Sequence, residues 1–69
     1  MNYAEIAFQY LTEHGRCTHK SLLVATNGNC SYSILRDMKL LAKVRGIEIT
    51  ESWHKNPVTK RRYKEYEVA

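Results

Sequence analysis

Two groups of side chains in this chain could do chemistry, and both are basic. The segment HKNPVTKRR, residues 54–62, holds four of the eleven lysines and arginines, Lys55, Lys60, Arg61 and Arg62, together with the only proline. Upstream, Tyr32, Arg36, Lys39 and Lys43 recur at i, i+4, i+7 and i+11. On a helix of about 3.6 residues per turn this spacing lays one aromatic ring and three cations along a single stripe, with Ser33 on its edge. Cations arranged in this way suit a polyanion, the alternative being a solvated helix face, and a second basic element in the same fold favours the polyanion. A guanidinium such as that of Arg36 can meet the O6 and N7 edge of guanine with two donors at once, a contact worth about 1–3 kcal/mol of discrimination. Tyr32 and Ser33, near the start of such a helix, could reach bases or a phosphate, while Lys39 and Lys43 suit backbone contacts. Tyr32 also has a second reading, packing beneath the segment that follows.

Other chemistry finds little support. His14, Cys17, His19 and Cys30 lie within seventeen residues, but zinc sites place their ligands as paired knuckles two to five residues apart, and Cys17-x-His19 is too tight for that pattern. The cysteines read as reduced, small apolar side chains and His54 as a surface residue, so no metal and no cofactor are expected. Nucleophile elbow, phosphate loop, HExxH motif and paired carboxylates are all missing, which argues against an enzyme.

The elements that must position the cations follow from periodicity. Tyr3, Ile6, Ala7, Tyr10 and Leu11 predict an amphipathic helix over 3–14, with Asn2 and Glu5 as a capping pair and Gly15 at its end. Thr18 opens a short second helix to about residue 26, carrying Leu22, Leu23 and Thr26, and Asn27-Gly28-Asn29 stops it. A third helix over 31–45, capped by Asn29 or Ser31 and closed by Gly46, buries Ile34, Leu35, Met38, Leu41 and Ala42 opposite the cationic stripe. Leu40 and Val44 widen that apolar face. An exposed Leu40 would suit a protein interface better than a phosphate.

Beyond Gly46 the period changes to two, predicting strands over 47–53 and 63–68 joined by the loop 54–62. Setting residue 49 against residue 66 places Glu51 opposite Lys64, Trp53 opposite Arg62 and Glu48 opposite Glu67. The strand glutamates Glu48, Glu51, Glu65 and Glu67 would make the hairpin's outer surface acidic, while its tip and the third helix are basic. The fold class is therefore α+β: a winged helix-turn-helix of three helices followed by a two-stranded hairpin wing, with room for a short third strand near residues 16–17.

Composition agrees with one small globular domain over 1–69. A chain of 69 residues buries so little of its surface that a partner or a dimer is a natural source of stability, and a homodimer is one open arrangement. The formal charge of +4 and pI near 9.3 favour a polyanionic partner. The longest apolar run, residues 22–25, is far below the length that spans a bilayer, so no membrane is expected and the chain reads as cytoplasmic.

The runs YLTEHGRCTHKSLLVATNG and LRDMKLLAKVRGIEI, followed by a strand ending RYKEYEV, resemble the small winged helix-turn-helix proteins of bacteriophages and prophages. The likeness rests on Leu11, Gly15, Thr18, Leu35-Arg36, Gly46-Ile47-x-Ile49, Tyr63 and Tyr66, and covers nearly the whole chain. It implies binding to double-stranded DNA in a bacterial host cell, as a transcription regulator or a recombination or excision accessory factor, with the reading role on Arg36 and its neighbours. The alternative is a protein-binding module that inhibits or modifies a host protein, such as a polymerase or a defence nuclease.

Overall fold

Each helix begins where the sequence supplies a capping oxygen. In the computed structural model, which describes residues 2–69, helix α1 spans Tyr3–His14, and the Asn2 side chain accepts the Glu5 N–H at 2.9 Å. Helix α2 spans His19–Ala25 behind Thr18, whose hydroxyl accepts the Ser21 N–H at 3.1 Å. Helix α3 spans Tyr32–Val44, and its cap is Ser31. Asn29 instead donates its amide to the Thr26 carbonyl at 3.2 Å and so fastens the turn between α2 and α3. Gly15 and Gly46 end the first and third helices at φ 76° and 71°. That left-handed backbone lets the Gly15 N–H reach the Leu11 carbonyl and the Ile47 N–H reach the Ala42 carbonyl, each at 2.8 Å.

Three strands complete an α+β fold compatible with a winged helix. Strand β1 is Arg16–Thr18, β2 is Ile49–Lys55 and β3 is Arg62–Val68, forming an antiparallel sheet in the order β1-β3-β2. The short strand expected near residues 16–17 is β1, paired through Cys17 with Tyr66. The last strand therefore lies in the middle of the sheet. Tyr66 drops from it into a core built by Ala7, Phe8 and Leu11 of α1, Leu22 of α2, Met38 and Ala42 of α3, and both cysteines. Thr26 is the buried polar side chain there, and its hydroxyl donates to the Leu22 carbonyl at 2.7 Å.

The hairpin corrects the expected register by two residues. Ile49 faces Val68, Glu51 faces Tyr66 and Trp53 faces Lys64, and it is Thr50, not Glu48, that lies opposite Glu67. The cause is turn chemistry at the tip. Asn56 Oδ1 accepts the N–H groups of Val58 and Thr59 at 2.8 and 3.2 Å, and Lys60, at φ 63°, donates its N–H to the Asn56 carbonyl at 2.8 Å. Residues 56–61 close as a tight turn, so the strands run on through Lys55 and Arg62 where a loop over 54–62 is expected from sequence. The first strand likewise starts at Ile49, two residues later than 47. A slip of two leaves every side chain on its own face.

One expectation fails for a separate reason, the alternation of side chains within the strand. Glu51 shares the helix-facing side with Tyr66, so the acidity of the outer surface of the paired strands comes from Glu65 and Glu67. Arg16 holds both, at 3.6 and 3.0 Å. Among the described residues no helix is long and apolar enough to cross a membrane.

Replacing Thr18 by Ala removes the cap of a helix only seven residues long. A loss of about 1 kcal/mol is expected, lowering the thermal unfolding midpoint by about 4–8 °C in circular dichroism, with Thr18→Ser close to wild type.

Candidate functional site

Helix α3 buries Met38 and Ala42 and leaves its opposite stripe free. Tyr32, Arg36, Lys39 and Lys43 lie along that stripe as their spacing predicts. With Leu35 and Leu40 they form one wall of a cleft of about 330 Å³, and Lys64 and Tyr66 of β3 form the other. A second cleft of about 390 Å³ adjoins it, sharing Leu35, Lys64 and Tyr66 and adding His19, Lys20, Trp53 and Arg62. The two clefts make one cationic groove between α3, the start of α2 and the helix-facing side of the hairpin. Among the described residues the one carboxylate in contact with the lining cations across the groove is Glu51, paired with Lys39 and Lys64.

The remaining sequence-derived candidates distribute unevenly. Lys55 stands directly opposite Arg62 at the far end of the strands, on the same side as Trp53 and Lys64. Lys60 and Arg61 belong to the terminal turn, and Ser33 is exposed; none of these three lines the clefts. Tyr32 is 81% exposed, which excludes packing beneath the hairpin. Lys64, Lys20, His19 and Trp53 are additions that the sequence reading passed over. Lys64 and Trp53 were legible in principle, since each stands two residues from a helix-facing position and strand side chains alternate.

Electrostatics set the strength of the groove. Glu51 binds both Lys39 and Lys64, the latter at 3.2 Å. Partial burial pushes the Glu51 carboxyl up, but hydrogen bonds and charge from the two ammonium groups outweigh it and hold the group below its ordinary value. Glu51 is thus ionised at neutral pH and tethers two of the groove's cations. Arg36 has only a loose neighbour pair with Asp37, Nε to Oδ1 at 3.7 Å, and its side chain is largely exposed. Lys43 has no ion-pair partner among the described residues. These two cations, with Lys20 and Arg62, carry the accessible charge.

Among the described residues no three His, Cys, Asp or Glu side chains converge to hold a metal ion. Both thiols are free and buried, and burial, with the neighbouring Cys30 and Glu65, pushes Cys17 up to about 11. Burial raises Cys30 as well. Neither is a thiolate nucleophile at neutral pH. No protein-family model matches this chain, and no curated protein or solved structure shows significant similarity to it.

Replacing Glu51 by Gln separates its two roles. A carboxylate held below its ordinary value stabilises the fold fully above that ordinary value, and the contribution is lost as the pH falls through the lowered one. Glu51→Gln is therefore expected to unfold at a lower temperature than wild type at pH 7, with the deficit closing as the pH is lowered through the carboxylate range. Freed of their counterion, Lys39 and Lys64 should at the same time tighten binding to a polyanion such as heparin, read by retention on a heparin column.

Proposed function

We propose that this chain is a duplex DNA-binding protein with the winged helix-turn-helix arrangement, α2 and α3 forming the helix-turn-helix and the β2–β3 hairpin the wing. The observation that carries this reading is the cationic groove joining Arg36, Lys39 and Lys43 to Lys64 and Arg62, in which one carboxylate, Glu51, is set against five cations. Helix α3 enters the major groove. Arg36 reads base edges beside Tyr32 and Ser33, and Lys39 and Lys43 contact phosphates. The wing tip, with Lys55, Lys60, Arg61 and Arg62, reaches the flanking backbone or minor groove. The acidic pair Glu65 and Glu67 supports this orientation, because it faces outward and is held by Arg16, away from the incoming phosphates. The resemblance to phage and prophage proteins supports a role as transcription regulator or as recombination or excision accessory. One domain spans only a few base pairs, so a homodimer or cooperative neighbours would supply the site length that specificity needs.

A second reading rests on a different observation. Leu40 and Val44, one turn apart on α3, are 53% and 85% exposed and line a shallow depression together with Leu41 and Ala4. An apolar edge of this kind suits a protein partner, and a module that inhibits a host protein would use it.

The two readings separate on mutation. The triple variant Lys60→Ala, Arg61→Ala, Arg62→Ala is expected to weaken binding to all duplexes alike and to reduce the slope of log affinity against log salt by about 3, one for each lost phosphate contact. Arg36→Ala is expected to lose preference among sequences in addition, by about 1–3 kcal/mol at one base pair, measured by fluorescence anisotropy on duplexes recovered by selection. Unchanged affinity in both variants, with loss of partner binding in Leu40→Ser, would favour the protein-binding module.

A further inference from the structure

The helix-facing side of the wing carries groups that a reader of intact duplex does not need. The chain's single tryptophan, Trp53, lies there, opposite Lys64, with 66% of its surface exposed. The Lys64 ammonium sits 5.6 Å from the indole centroid and 5.7 Å from that of Tyr66, bridging an exposed ring and a buried one. One step toward the tip, Lys55 and Arg62 face each other directly. Like charges so placed cost stability, and an anion between them would relieve it. His19 and Lys20 of α2, Leu35 of α3 and a second ring, Tyr63, complete the lining of this cleft.

These features define their occupant. It must present a flat apolar face to the indole and negative charge to Lys20 and Arg62 within one cavity of about 390 Å³. Paired duplex offers the charge but keeps its base faces stacked inside the helix. Aliphatic anions offer charge without the ring. An unpaired nucleotide offers both, and stacking of bases on exposed aromatic side chains flanked by cations is how single strands are held without dependence on sequence.

We propose that this cleft binds single-stranded nucleic acid, with an unpaired base stacked on Trp53 and its flanking phosphates on Lys20 and Arg62. The inference goes beyond the duplex reading by adding a single-strand site beside the duplex-reading helix, so that the protein could hold a frayed end or a duplex–single-strand junction.

Because Trp53 is the only tryptophan, its fluorescence reports occupancy directly. Titration of the full chain with the oligonucleotide dT15 is expected to quench it saturably, and to do so more weakly as salt is raised. Trp53→Ala is expected to weaken binding of labelled dT15 by about 5- to 150-fold, the range that one aromatic–base stack is worth, and to weaken binding of a blunt duplex by a clearly smaller factor, since paired bases offer the indole no face to stack on. Trp53→Phe keeps a ring and is expected to fall between the two. The exposed position lets these variants fold, which far-ultraviolet circular dichroism checks.

Unaltered fluorescence with dT15 overturns the proposal, whether or not the blunt duplex binds. Equal losses on dT15 and duplex in Trp53→Ala overturn it as well, since the indole would then serve the duplex site. A glutamate–tyrosine copolymer that quenches as tightly as dT15 would assign the cleft to acidic peptides instead. Binding of dT15 without binding of the blunt duplex would support the cleft and refute the duplex reading alone.

Discussion

The arrangement of the groove depends on one constraint, the anchoring of Tyr66 in the middle of the sheet. Strand β3 hydrogen-bonds to β1 on one side and β2 on the other, and Tyr66, 1% exposed, fills the space between the sheet and all three helices. Side chains on a regularly paired strand alternate, so a ring pinned inward at 66 obliges Lys64 and Arg62 to point to the same side. The two cations are delivered to the edge of α3 by packing, not by attraction to anything on α3. Pairing then carries Glu51, Trp53 and Lys55 to that side as well. Loss of the anchor would free the hairpin and scatter one whole wall of the groove.

Glu51 shows how a basic surface is kept foldable. Lysines on a helix and a facing strand repel one another at close range, and the free energy of that repulsion rises as water is excluded. A single carboxylate between Lys39 and Lys64 offsets the repulsion and fixes both side chains, while Arg36, Lys43, Lys20 and Arg62 remain at the rim. The outer face follows the same logic with the signs reversed, since Arg16 gathers Glu65 and Glu67. Charge of opposite sign is thereby segregated to the two faces of a three-stranded sheet. A net charge of +4 on so small a chain becomes a directed field on one side of the molecule.

The helices were legible in the sequence because their signals are local. Asn2, Thr18 and Ser31 each cap the helix they precede, and the stripe of Tyr32, Arg36, Lys39 and Lys43 needs only the helical period to be recognised. The hairpin register was not, because it is decided by the conformation of six turn residues, with Asn56 bonding within the turn and Lys60 in the left-handed region. Alternation alone cannot separate registers that differ by two. The second cleft was hidden for a different reason: its lining comes from three elements, the start of α2, α3 and the hairpin, which only the tertiary fold brings together. Glu51 looked like a cross-strand partner of Lys64 and is one diagonally, but its contact with Lys39 joins residues on separate elements.

The central claim is that the groove between α3 and the hairpin is where a nucleic acid sits. The most direct test is a titration of the ¹⁵N-labelled protein with a short blunt duplex, following backbone amide shifts in two-dimensional NMR at low salt. The account predicts perturbations concentrated on residues 31–43 and on the hairpin around 53–64, vanishing as salt is raised. Shifts confined to Leu40, Val44 and the start of α1, or none at all from the folded protein, would contradict it.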